Sequence, residues 1–233
     1  PLGAEDQFEG MVDLVDWCAY HYGNDKTGKT FETVQLSGEL AENAKERRAK
    51  MLERLSLYDD VLLEKLLDES EPTPEEIKAA IRKATLTNEI VPVFCGSAFK
   101  NKGVQPLLDA INRYLPSPLE AEPTEAIDLA NGGSKVLLDT DPEKPTVAMA
   151  FKLTEEQFGQ LTYARIYQGK LRKGEQLVNT RTGKKLRVGR MVRMHSNDRD
   201  NIDYAEAGDI VAMIGVDCAS GDTFCNDDIR LAC

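Results

Sequence analysis

The chain has 233 residues, 41% hydrophobic and 30% charged, with a formal net charge of −11. That length supports two modest cores, and no run approaches the roughly 20 consecutive apolar residues of a membrane span. Five scattered cysteines (Cys18, Cys95, Cys218, Cys225, Cys233) without a C-x-x-C, and two distant histidines, argue against a disulfide framework or a metal site and for reduced thiols.

From the N-terminus, Pro-Leu-Gly-Ala-Glu carries neither an initiator Met nor a signal-peptide pattern and reads as the interior of a longer protein. Residues 8–36 alternate in the manner of strands, Phe8 to Tyr22 and then Lys29 to Leu36, around the polar turn Gly-Asn-Asp-Lys-Thr-Gly. Ser37 then caps a helix with Leu40, Ala44, Met51, Leu52 and Leu55 near one stripe, and Asp59–Asp68 predicts a second. Thr73-Pro-Glu-Glu announces a third: an N-cap Thr, Pro at the first helical position and acids in the first turn. Ile90–Cys95 predicts a buried strand and Gly103–Leu115 a helix closed by Pro116-Ser-Pro118. Residues 119–142 are polar and rich in breakers, which predicts a linker. Short strands without intervening helices follow at Thr146–Leu153, Gln160–Tyr167, Glu175–Asn179, Lys185–Met194 and Asp209–Val216, the pattern of a small antiparallel barrel or sandwich.

Charge is segregated along this order. Residues 1–140 hold 15 basic and 26 acidic groups, whereas residues 141–233 hold 14 of each. Within the second half, residues 165–193 place ten Lys and Arg against Glu175 alone. Segregation of this kind suggests two partners of opposite charge. Glu39, Glu42 and Glu46 share one face of the first helix, either as a solvated N-terminal turn or as a docking stripe. The cations form a ribbon, Arg172 and Lys173 in one turn and then the six Arg181, Lys184, Lys185, Arg187, Arg190 and Arg193, with Lys185, Arg187 and Arg193 on one strand face unless Gly189 bulges. No interleaved aromatics are visible, so phosphate contact without base reading is the expectation.

Gly23-Asn-Asp-Lys-Thr-Gly28-Lys29-Thr30 matches the phosphate-binding G-x-x-x-x-G-K-T pattern. That pattern works when backbone N–H groups and a following helix N-terminus converge on phosphate. Here Phe-Glu-Thr-Val-Gln-Leu follows, alternating and β-branched, so a hairpin loop is predicted instead.

The string Val91-Pro-Val-Phe-Cys-Gly-Ser-Ala-Phe-Lys-Asn-Lys-Gly-Val-Gln-Pro-Leu-Leu-Asp-Ala110, with Tyr114-Leu-Pro-Ser-Pro118, closely resembles the elongation factor G family of translational GTPases. The opening Pro-Leu-Gly-Ala-Glu-Asp-Gln-Phe-Glu-Gly-Met-Val-Asp-Leu-Val is similar to the entry of that family's G′ insertion. Arg165–Glu175, Arg190–His195, Ala207–Val211 and Ser220–Phe224 are similar to its second domain, so the resemblance covers essentially the whole chain. The runs from Phe158 and Asp217 look closest to mitochondrial factors and some bacterial relatives.

The resemblance implies an α+β and all-β, multi-domain fold. An α+β insertion would occupy residues 1–83 and the last strand and helix of a Rossmann-like P-loop GTPase domain residues 84–118. A linker over 119–142 would lead to an antiparallel translation-factor β-barrel over 143–233. It implies that Ser97, Ala98 and Phe99 are the guanine-side motif of an incomplete pocket. Glu39, Glu42 and Glu46 would meet the basic large-subunit stalk protein, and the six cations small-subunit rRNA phosphate. GTP or GDP with Mg²⁺ would belong to the full-length protein, with none expected on the fragment, whose P-loop, switch and Asn-Lys-x-Asp motifs are absent. A monomeric, non-membrane fragment of a tRNA- and mRNA-moving factor follows, in a bacterial cytoplasm or a mitochondrial matrix. The alternatives are a related recycling, protection or release GTPase, or an interaction module without chemistry.

Overall fold

The computed structural model describes residues 1–23, 25, 27–156, 159–196 and 198–233. The chain divides into two compact units, Pro1–Pro116 and Ser117–Cys233.

In the first unit, a 3-10 turn at Glu5–Gln7 leads to three short strands: β1 (Gly10–Asp13), β2 (Cys18–His21) and β3 (Glu32–Gln35), paired antiparallel in that order. The apparent long strand from Phe8 to Tyr22 is therefore a hairpin. Its turn is made by Asp13, whose Oδ1 accepts the N–H groups of Val15 at 2.8 Å and Asp16 at 2.9 Å. A side chain that imitates a backbone turn in this way interrupts an alternating pattern without any Gly or Pro. Trp17 completes the reversal at φ 54°.

Four helices follow: α1 (Gly38–Leu55), α2 (Asp60–Leu67), α3 (Pro74–Leu86) and α4 (Val104–Tyr114). Asp59 caps α2 through the Leu62 N–H. Thr73 and Glu76 cap α3 reciprocally: Thr73 Oγ1 accepts the Glu76 N–H at 3.3 Å, and Glu76 Oε2 accepts the Thr73 N–H at 2.7 Å. Because α3 runs to Leu86, the expected boundary between residues 83 and 84 falls inside a helix. The apolar faces meet in one cluster, Leu52, Leu55, Leu62, Ile77, Ala80 and Ile81, shared with Ala110 and Tyr114 of α4. Polar clamps fix the β1–β2 turn against it. The Arg48 guanidinium donates to the Leu14 and Val15 carbonyls and lies 5.5 Å from the Trp17 ring centroid, while Lys78 meets Asp16 at 2.5 Å.

Ile90–Cys95, expected as a buried strand, forms no strand and pairs with none among the described residues. Val91 is 84% and Val93 89% exposed. A strand needs a neighbour for its N–H and C=O groups, and the described residues supply none.

The second unit begins with a hairpin, β4 (Thr124–Asp128) and β5 (Ser134–Leu138), inside the stretch read as a linker. Its breakers are turn residues: Asp128 Oδ1 accepts the N–H groups of Ala130 and Asn131, and Gly132 and Gly133 adopt positive φ. The remaining strands are β6 (Val147–Glu156), β7 (Gly159–Gln168), β8 (Lys170–Arg172), β9 (Gln176–Asn179), β10 (Lys185–Arg187), β11 (Arg190–His195), β12 (Asp198–Ile202), β13 (Tyr204–Glu206), β14 (Ile210–Ile214), β15 (Thr223–Cys225) and β16 (Leu231–Ala232). Strand β16 pairs with β4, which makes residues 119–142 part of this unit and no linker.

The expected antiparallel barrel is a curled eight-stranded sheet in the order β10-β9-β15-β6-β7-β14-β11-β12. It wraps a core of Ile166, Leu171, Leu177, Val188, Met191, Met213 and Phe224, with Ala148, Ala150 and Ala164 where strands crowd. The single strand expected over Lys185–Met194 breaks at Val188, whose buried backbone turns to pair with Gly174 and Glu175. Its two halves are consequently separated by five strands, β10 at one edge and β11 next to the last strand of the other.

A buried carboxylate joins β15 to the turn after β9. Asp222, 1% exposed, accepts from Arg181 Nε at 2.5 Å and Nη2 at 2.9 Å, Asn179 Nδ2 at 2.7 Å and the Ala219 N–H at 2.9 Å. The Arg181 guanidinium first, then the Ala219 N–H and Asn179, hold its carboxyl down at about 2. This group is more acidic folded than unfolded, so its stabilisation is complete above about pH 4 and disappears as pH falls towards 2. Asp222→Ala is expected to lower unfolding free energy by about 2–3 kcal/mol in urea melts at neutral pH. Asp222→Asn should flatten the loss of stability between pH 4 and 2; an unchanged acid profile would show that the clamp contributes nothing.

Candidate functional site

The Gly23–Thr30 loop joins β2 to β3; Asn24 and Lys26 of this pattern lie outside the described residues. At its centre Asp25 accepts the N–H and hydroxyl of Thr27 at 2.8 and 2.7 Å, and those of Thr30 at 3.0 and 2.8 Å. Hydrogen bonds from the Thr27 hydroxyl first, then the Thr30 amide, hold the Asp25 carboxyl well below the usual carboxylate range. The amides that a phosphate would need already face an internal carboxylate. Gly28 sits at φ +63° against the Gly96–Gly103 loop, where a Cβ would lie 2.3 Å from the Asn101 carbonyl oxygen. Gln105 of α4 donates to the Gly28 carbonyl at 2.7 Å. A strand, β3, follows the loop in place of a helix N-terminus.

Ser97, Ala98 and Phe99 form the turn before α4. Ser97 N–H donates to the Lys102 carbonyl at 2.8 Å and Lys102 N–H returns the bond at 3.0 Å, closing the loop on itself. The carbonyls of Ser97 and Ala98 accept from Lys100 and Asn101. Among the described residues the Ala98 and Phe99 amides donate to no backbone group, and the Phe99 ring is 98% exposed. The two open amides and the uncovered ring lie side by side in this turn.

Glu39, Glu42 and Glu46 are all exposed on the outer face of α1. Lys50, one turn on, meets Glu46 at 2.5 Å and holds its carboxyl below the usual range. The stripe is thus strongest at its N-terminal end, Glu39 and Glu42.

The six cations do not form one ribbon. Arg181 is engaged by Asp222. Lys185 meets Asp227 at 2.6 Å, the Arg187 Nε donates to the Gly174 carbonyl at 3.1 Å, Arg190 Nε donates to Asn201 Oδ1 at 2.6 Å, and Arg193 lies 3.7 Å from Asp209. Lys184 is exposed with no ion-pair partner among the described residues. The fold divides Lys184, Lys185 and Arg187 from Arg190 and Arg193 at the Val188 break.

Arg172 and Lys173, the first turn of the expected ribbon, sit with Lys170 on the β8–β13 pair, where they border an open depression with Asp203 and Tyr204; sequence reasoning missed the tyrosine beside them. Tyr204 stands about thirty positions from Arg172 in the chain yet directly opposite it in register. Only the pairing of residues 170–172 with 204–206 reveals the aromatic among the cations.

The family described as "Elongation factor Tu domain 2" matches residues 159–225. "Elongation factor G 2" of Bdellovibrio bacteriovorus is 50% identical over 99% of this chain and 32% of its own length. "Elongation factor G" of Rhodopirellula baltica is 49% identical over 97% of the chain and 32% of its own. "Elongation factor G-1, mitochondrial" of Arabidopsis thaliana is 45% identical over 99% of the chain and 30% of its own. The chain thus spans about a third of the length of the curated relatives it matches. A crystal structure of a Thermus thermophilus protein superposes with a TM-score of 0.72 at 27% identity, covering 97% of this chain and 31% of that one. No helix among the described residues is long and apolar enough to cross a membrane. Titration of the chain with GTP and Mg²⁺ is expected to show no saturable binding in the micromolar range; a micromolar isotherm that Lys29→Ala abolishes would restore the phosphate-loop reading of Gly23–Thr30.

Proposed function

We propose, for a chain that belongs to the elongation factor G family, that it forms the ribosome- and stalk-contacting middle of a GTPase that moves tRNA and mRNA through the ribosome. The observation that carries this reading is similarity to elongation factors G along 97–100% of the chain, through both compact units. GTP or GDP with Mg²⁺ belongs, in this reading, to the whole factor, where the open Ala98 and Phe99 amides border the guanine side of the nucleotide. The first unit comprises the α+β insertion and the closing elements of the GTPase domain; the second is the barrel that leans on the small subunit. The chain alone carries no hydrolytic activity in this proposal, because its one phosphate-loop-like string is filled by Asp25. A bacterial cytoplasm or a mitochondrial matrix fits the relatives' range, and the chain is proposed to be monomeric. A recycling, protection or release GTPase would share the barrel; the match over Pro1–Pro116 favours the G type.

Each charged face has a partner of opposite sign. An acidic stripe on a solvent-facing helix accelerates encounter with a basic, mobile stalk domain, and salt weakens the effect. Lys184, Lys185 and Arg187 would neutralise rRNA phosphates without reading bases. Among the described residues Lys185 pairs only with the exposed Asp227, a surface contact that exchanges readily with phosphate. Arg181 is excluded from this contact set, since withdrawing it would expose the buried Asp222 charge.

In a full-length factor carrying this segment, Glu39→Lys with Glu42→Lys and Glu46→Lys is expected to slow ribosome-stimulated GTP turnover on the order of tenfold at low salt, the deficit shrinking as salt rises. Unchanged turnover across the salt series would reduce the stripe to a solvated face. Neutralising Lys184, Lys185 and Arg187 together should lower the log–log salt slope of small-subunit binding by roughly 2. An unaltered slope would remove phosphate contact by this edge.

A further inference from the structure

The depression on the β8–β13 ribbon brings three cations and an exposed aromatic to one face of the second unit. Leu171 and Ala205 are buried in the core beneath it, so the strand alternation turns Lys170 and Arg172, and opposite them Glu206 and Tyr204, outward. The depression is open to solvent, offers about 450 Å³, and is lined by Lys170, Arg172, Lys173, Asp203 and Tyr204.

The charges in it are not equivalent. Lys170 is held by Glu206 at 2.6 Å and its ammonium lies 5.5 Å from the Tyr204 ring centroid, on one side of the ring. Lys173 faces Asp203 at the looser distance of 3.7 Å. The Arg172 guanidinium has no partner among the described residues and stands directly across the strand pair from Tyr204. Tyr204 itself is 58% exposed. An exposed ring beside an unpaired planar cation, with a second cation at the rim, matches the two ends of a nucleotide. The base has a π-face to stack on the ring or the guanidinium, and the phosphate is an acceptor for Arg172 and Lys173.

We propose that this pocket binds a single unpaired nucleotide of RNA, base against Tyr204 and phosphate against Arg172 and Lys173. The proposal rests on the reading of the second unit as an RNA-docking barrel and deepens it: contact there is not limited to phosphate. An unstacked base is required, because a paired one offers no free face, so the pocket distinguishes single-stranded from duplex RNA.

The test is fluorescence anisotropy of the whole 233-residue chain with a labelled single-stranded RNA oligonucleotide and with the same sequence as a duplex. Circular dichroism would verify that each variant is folded. The chain should prefer the single strand. Tyr204→Ala is expected to weaken single-strand binding roughly tenfold, with Tyr204→Phe near the parent and duplex affinity unchanged in both. Arg172→Ala should weaken the single strand and lower its salt slope. If the parent binds single strand and duplex alike and Tyr204→Ala is indistinguishable from it, the nucleotide pocket is wrong while RNA docking stands. If the parent binds neither form, both readings fall. If free nucleoside monophosphate binds as tightly as the oligonucleotide, the site is a small-anion pocket and the RNA assignment is overturned.

Discussion

A carboxylate sealed from water has to find its donors inside the fold, and Asp222 finds four. Those donors come from the end of β9, from the turn that follows it and from the loop before β15. The same residue lends its backbone carbonyl to the Ala150 N–H of β6. Three neighbouring strands of the curled sheet are thereby tied together by one residue, two positions before Phe224, which is fully buried. The cost of leaving such a group unpaired exceeds the gain from any single surface ion pair, which is why Arg181 belongs to the architecture although it stands 60% exposed. A count of cations along a sequence treats every one as available. The fold sorts them into those that hold the protein together and those that face outward.

That sorting explains what was legible in the sequence and what was not. The helices could be read because each carries local signals: an Asp59 or Thr73 cap, a Pro at the first turn of α3, apolar residues at helical spacing. Most barrel strands were legible from alternation between Gly-containing turns. The β1–β2 turn was hidden, since Asp13 reverses the chain by its side chain while Leu14, Val15 and Trp17 keep the alternation running. The β4–β5 hairpin was hidden for the opposite reason: its turn residues outnumber its apolar ones, and Leu231, about a hundred positions on, provides the pairing that makes it a strand. Val188 looks like one more apolar position in a continuous strand, and only its long-range bonds to Gly174 and Glu175 show the break.

The candidate surfaces follow the same division. The acidic stripe of α1 was predictable from helical periodicity alone, because its neighbours in space are its neighbours three and four positions away. The pocket at Tyr204 depends on a register between strands distant in sequence, and period-2 reasoning on either strand alone returns only an exposed tyrosine or an exposed arginine. Local patterns specify faces; cross-strand pairing specifies sites.

Gly28 shows how far a string of letters can stand from the constraint that requires it. The residue is small because the Asn101 carbonyl leaves no room for a methyl group, and because its backbone has a left-handed twist. Phosphate loops need glycine so that a ligand can approach; this loop needs it so that the protein can approach itself. Two unrelated steric demands project onto the same eight-letter word, and a pattern scan, which sees only the projection, has no means of separating host from guest.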